Sequence, residues 1–303
     1  MAVSSNRPSL STWLSRYSRE LKLFALASLA MGMAYSIVDA TFNNFVNAHF
    51  ALSGFQRSFL EFPREMPGFL VVFISAALGF LGSRRLGFFA LVASVAGSLL
   101  IGLLSPSYGM MVAWLFIYSV GQHLFMPVQS SIGMELAEKG KTGQRLGQLN
   151  AIRNLAAILG SFLVFLGFNY LGFSFQVTFV LAAVFFSVAA ALMFSMRPDP
   201  PSQSRTFLTL HKEYRLFYLL AILYGSRKQL FITFAPWVLV TIFQQPTQAL
   251  ATLITIGGII GILFQPLLGW MVDHLGERVV LCSEAVLLVF VCAGYGLARS
   301  LLP

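Results

Sequence analysis

Apolar runs of about 20 residues recur along this chain from Leu21 almost to its end, separated by short polar joints. A run of that length is what an α-helix needs to cross a hydrocarbon layer roughly 30 Å thick. Repeated many times, it predicts a polytopic membrane protein. Only 10% of the residues are charged, against roughly 25% in a soluble domain, so a single buried soluble core is excluded. The runs are continuous and do not alternate, which suits helices and not barrel strands, because a lipid-exposed backbone must close its own hydrogen bonds. The formal charge of +9 is spread over the short joints and forms no basic domain. That distribution argues against a nucleic-acid partner.

Nine spans are predicted, near 21–47, 56–82, 86–104, 108–134, 146–170, 174–196, 215–243, 248–272 and 278–299. The first 20 residues are polar, and the apolar run after them is too long for a signal-peptide core and meets no small-residue cleavage site, so it reads as a retained span. With the N-terminus inside, fourteen Lys and Arg fall in cytoplasmic joints and three, Arg57, Arg64 and Arg299, on the other side. Arg153, Arg227 and Lys228 lie within spans. This bias obeys the positive-inside rule and predicts a multi-pass protein of the cell (inner) membrane with a cytoplasmic N-terminus. The longest interior polar stretch, Arg197 to Arg215, contains Pro198, Pro200 and Pro201 and reads as a linker. The expected organisation is a six-span bundle over 1–196, a cytoplasmic linker over 197–214, and three spans over 215–303.

After the eighth span stands Gly269-Trp-Met-Val-Asp273-His-Leu-Gly276-Glu-Arg278. Its glycine, aspartate, glycine and arginine resemble the loop signature of the major facilitator superfamily, which joins the second and third helices of each six-helix half. Here it joins the second and third spans after the linker. The family has basic residues where His274 and Glu277 stand. A degenerate copy, Gly79-Phe-Leu-Gly-Ser83-Arg84-Arg85-Leu-Gly87, occupies the matching place in the first half, with serine at the aspartate position and the second glycine one residue late. The resemblance implies an all-α membrane fold, a major facilitator-like bundle of about nine spans of a twelve-helix pattern. It implies that the second three-helix repeat of the C-terminal half is missing beyond Pro303. It also implies that Asp273 acts as a cytoplasmic latch near the start of the fifth span, around Gly143 to Gln148. An aspartate facing a helix N-terminus has the right polarity for that, and the glycines allow close approach.

Polar and ionisable residues deep in a span are costly, and they mark cavities or partners. Tyr35, Asp39, Asn43 and Asn47 follow at intervals of four and share a helix face. Asp39 reads equally as a proton-coupling or substrate-binding carboxylate and as the structural partner of a basic residue, since desolvation favours the neutral form of a carboxyl. The fourth span carries Tyr118, Gln122 and His123. His123 is a candidate proton carrier, weighed against a packing histidine. Arg227 and Lys228 stand about 12 residues into the seventh span and need an anionic partner, with Arg227 preferred as the one facing a ligand because adjacent helical residues point about 100° apart. Arg153, near Asn150 and Asn154, suits a gating or lipid-phosphate role. Arg57, Glu61, Arg64 and Glu65 have i, i+3 and i, i+4 spacing and read as local ion pairs at the membrane surface. Gly257 with Gly261, and Ala156 with Gly160, have the spacing of close helix contacts. Cys282 and Cys292 lack metal or redox spacing and read as packing residues.

The expected function is secondary active transport of a small organic solute or drug by alternating access, coupled to protons, since no GxxxxGK[ST] loop is present to use ATP directly. Protons and lipids are the other expected partners, the buried cations tilt the cargo toward an anion, and no cofactor or metal is called for. A scaffold that has lost transport is the alternative. An intramembrane enzyme is disfavoured, because HExxH, GxSxG and paired aspartates are lacking within the spans.

Overall fold

The computed structural model describes residues 18–139, 142–198 and 212–297, and every regular element among them is helical. Nine long helices follow in order: α1 Arg19–Phe50, α2 Gly54–Ala77, α3 Gly82–Leu103, α4 Tyr108–Glu135, α5 Thr142–Tyr170, α6 Phe175–Phe194, α7 Arg215–Thr241, α8 Thr247–Leu275 and α9 Glu277–Leu297. Short 3-10 turns at Gly79–Leu81 and Lys212–Tyr214 precede α3 and α7. Among the described residues, five stretches are long and apolar enough to cross a membrane by length and composition, lying in α1, α3, α4, α5 and α6. The helix α2 is long enough, but its first half carries four charges.

Serine starts several of these helices. The hydroxyls of Ser18, Ser53, Ser107 and Ser174 accept from backbone N–H groups in the first turns of α1, α2, α4 and α6. Each satisfies a donor that the helix itself leaves open. At Ser53 the cap is reciprocal, because Gln56 reaches back to the Ser53 N–H at 3.0 Å.

The first six helices share one interior. The helix α3 packs on α4 and α6, α1 packs on α5 and α6, and α2 leans on α4. Small residues set the closest crossings. A Cβ on Gly97 would collide with the backbone of Tyr118, and one on Gly121 with Ala90 and Ser94, so α3 and α4 approach almost backbone to backbone. The crossing of α1 and α5 is similar, where Gly32 faces Ala156, Gly160 faces Met33, and the Ser36 hydroxyl donates to the Ala157 carbonyl at 2.7 Å. The far side of α5 meets α8. There the Ser161 and Thr255 hydroxyls lie 2.7 Å apart and Gly258 admits Ile158.

Three expectations change here. Gly257 and Gly261 have open space around them, and it is Gly258, one residue on, that faces a helix. Cys282 and Cys292 are exposed on α9, not buried in packing. The segment expected as a loop after the eighth span is mostly helix: α8 runs through Asp273 to Leu275, and Gly276, at φ 81°, is the whole joint before α9. In the first-half copy of the signature the left-handed glycine is Gly82, at φ 75°, five residues before Gly87. Gly87 serves as a packing site instead, against Val128, Phe125 and Met193.

Arg84, in that first-half segment, is buried and ties three elements at the end of the bundle where the basic joints gather. Its guanidinium donates to Glu135 at 2.6 Å and to the Arg197 carbonyl at 2.5 Å. The Arg197 N–H donates in turn to Glu20 at 3.1 Å, and Arg19 donates to the Ser195 carbonyl at 3.3 Å. The ends of α1, α3, α4 and α6 are thereby joined.

Candidate functional site

A cavity of about 490 Å³ opens in the middle of the bundle. The helices α1, α2, α4 and α5 supply its polar wall, while Ile232 and Pro236 of α7 and Ile254 of α8 supply apolar residues opposite. The size is that of a site for a small organic molecule.

The helical period of α1 brings Tyr35, Asp39 and Asn43 to this cavity together. Asp39 keeps 53% of its side-chain surface exposed, all of it within the span of α1, so its carboxylate looks into the open space. Its charged neighbour is Arg64 of α2, at 4.0 Å. Tyr35 stands edge-on to Tyr118 and to Phe186, with ring centroids 6.1 and 4.9 Å away. These rings form a firm floor beside the carboxylate.

The four charges of α2 are not a surface cluster. Arg57 is fully buried and donates to Glu61 at 2.5 Å and to the Asn43 amide oxygen at 3.3 Å. Arg64 shares Glu61, at 3.5 Å, and reaches the cavity. Glu65 turns the other way, toward His123 of α4 at 3.2 Å. The spacing that suggests local pairs is real for Arg57 with Glu61 and for Arg64 with Glu61. What it cannot reveal is that Asn43, Asp39 and His123 on other helices complete the network.

His123 is placed behind Arg64 and does not line the cavity, whereas its neighbour Gln122 does. Its Nε2 faces Glu65, and its Nδ1 lies 3.0 Å from both the carbonyl and the hydroxyl of Ser119. The Ser119 hydroxyl also donates to the Arg64 carbonyl. This grip falls where Pro63 and Pro67 interrupt α2 and remove two of its internal donors. Side chains of α4 thus hold the backbone that presents Arg64 to Asp39.

Arg153 and Asn154 of α5 close the cavity toward the start of that helix. The guanidinium of Arg153 donates to the Gln129 amide oxygen at 3.2 Å and to that of Asn150 at 3.1 Å. A smaller space of about 250 Å³, lined by Gln129, Ser130, Leu146, Leu149, Asn150 and Arg153, adjoins it.

Arg227 and Lys228 lie in α7 and Gly269 and Asp273 in α8, and the surroundings of all four fall outside the described residues. The expected contact of Asp273 with the start of α5 also falls outside them. Arg278 is exposed in the first turn of α9, directly after Gly276 and Glu277. Among the described residues, no group of three or more His, Cys, Asp or Glu side chains is arranged to hold a metal ion.

A family profile described as Major Facilitator Superfamily matches residues 24–302. Among solved structures the chain is similar to the nucleoside transporter NupG, with a TM-score of 0.68 at 12% identity, over 85% of this chain and 69% of that one. It is also similar to the D-xylose-proton symporter, with a TM-score of 0.57 at 18% identity over 84% and 68% of the two chains. The peptide transporter POT, in a mutant form, gives a TM-score of 0.56 at 14% identity over 90% and 71%. At such identities the likeness is one of fold. No curated protein matches the sequence.

Proposed function

The chain belongs to the major facilitator superfamily, and from that premise we propose that it is a secondary active transporter that moves a small organic solute by alternating access and is coupled to protons. It is a multi-pass membrane protein, and the one-sided distribution of Lys and Arg supports the cell membrane with the N-terminus inside. The bundle over 1–196 and the helices over 215–303 rock about the cavity between them, and 197–214 links the two.

The observation that carries this reading is the accessible Asp39 carboxylate in a cavity bounded by helices from both segments. At 4.0 Å its hold on Arg64 is loose, and Arg64 has a second carboxylate, Glu61, to lean on. A proton on Asp39 removes the attraction and leaves Arg64 with Glu61. Loss of the proton draws Arg64 back. Such an exchange of partners alters the α1–α2 contact with the protonation state, which is what coupling requires.

The test uses proteoliposomes containing a trapped pH dye, challenged with nucleosides, pentoses, dipeptides and aromatic carboxylic acids under an imposed pH gradient. One solute class should drive proton entry, and Asp39→Asn should abolish that entry while preserving solute exchange. Proton entry undiminished in Asp39→Asn would overturn the coupling role. Absence of both proton movement and solute exchange across the panel would favour a binding or scaffold protein.

A further inference from the structure

We infer that Arg153 is an oxyanion-binding group and that the cargo is an organic acid whose carboxylate pairs with it, a step that rests on reading the central cavity as the transport site. Three of the described side chains lining that cavity carry charge: Asp39, Arg64 and Arg153. Arg64 is compensated by Asp39 at 4.0 Å and Glu61 at 3.5 Å. Arg153 is not. Its two hydrogen-bond partners are neutral amide oxygens, and it forms none of the ion pairs among the described residues.

An uncompensated guanidinium is expensive within a bilayer, and the cost is met by a partner of opposite charge. Arg153 is exposed and stands seven positions into the span predicted from 146, about 10 Å of helix. The two amides fix the plane of the group and occupy two of its five N–H donors, so three remain for a planar, two-oxygen acceptor. Gln129 is itself buried, which makes that hold firm. Asn154, the next residue, lines the same cavity and offers a further amide. Beyond the charged end the walls are aromatic, with Tyr35, Phe42, Tyr118 and Phe125, which suits an apolar or ring-bearing body behind the carboxylate. Arg153 also borders the smaller adjoining space, so the cargo's acid group meets it on the way between the two.

The experiment is thermal unfolding of the purified full chain in phospholipid-free detergent with phenylacetate, its neutral amide phenylacetamide, or phenethylamine at equal concentration. Phosphatidylglycerol is added in a separate arm. Phenylacetate should stabilise the protein where the amide and the amine do not. Arg153→Gln should weaken its apparent affinity by about tenfold or more, and Arg153→Lys should restore part of it. Equal effects of acid and amide, no effect of the acid, or an acid response intact in Arg153→Gln would each overturn the inference. A response to phosphatidylglycerol alone would overturn it too, by making Arg153 a lipid site. Counterflow of labelled phenylacetate separates the two readings: Arg153-dependent binding without counterflow sinks transport and leaves the anion site, whereas counterflow indifferent to Arg153 does the reverse.

Discussion

At the scale of single residues, the most exacting position is Arg57. A fully buried guanidinium is tolerable only because Glu61 neutralises it and Asn43 accepts a further hydrogen bond. Glu61→Gln keeps the shape and removes the charge, so it should destabilise the protein by about 3–5 kcal/mol, seen as a clear fall in the unfolding temperature in detergent. An unfolding temperature within a degree of the parent would show that Arg57 is satisfied in some other way. The sequence exposes the charges of α2 but not their surroundings. An i, i+4 pair looks the same at a wet surface and in a dry interior, and what distinguishes Arg57 is an asparagine 14 residues away on another helix. Tyr35, Asp39 and Asn43 were legible because a repeat of four on one helix needs no knowledge of its neighbours. The link of Asp39 to Arg64 needs the packing of α1 beside α2, which no local pattern encodes.

At the scale of elements, helix ends were easier to read than helix contacts. The first span expected near 21–47 is the helix Arg19–Phe50, since a long apolar run marks its length and the Ser18 cap its start. The second, expected to reach 82, ends at Ala77 and passes through a 3-10 turn, because Gly79 and Gly82 loosen a stretch whose apolarity continues unchanged. Contacts depend on which face a glycine presents, and a one-position error moves it about 100° around the helix. That is why Gly257 and Gly261 look suitable while Gly258 makes the approach. The α3–α4 crossing gives the sharpest test. Gly97→Ala sets a methyl group against the Tyr118 backbone and should cost about 1–3 kcal/mol. Gly109→Ala, in open space, should cost nothing measurable by the same thermal unfolding, and equal losses at both positions would refute the close-packing account.

At the scale of the molecule, α5 is the seam: it faces α1 on one side and α8 on the other, and it carries Arg153 between them. If the two segments rock, the Ser161–Thr255 contact across that seam changes during the cycle. Ser161→Cys with Thr255→Cys, in a background of Cys282→Ser and Cys292→Ser, should form a disulfide under mild oxidation and stop solute exchange until it is reduced. Exchange unaffected by complete cross-linking would mean that this contact stays fixed through transport. The seam was only half legible, because small residues announce a close approach without naming the helix on the other side. The family signature was legible as letters and place, but its expected loop is a single residue.

That residue, Gly276, turns the α8–α9 pair into a two-bar linkage. With one position between the helices, the direction of α9 relative to α8 is set almost wholly by one φ and one ψ. The φ of 81° lies where a side chain brings strain. A long loop would distribute a change of direction over many bonds and hide it. Here it is concentrated in a single codon, so replacing one amino acid re-aims an entire helix.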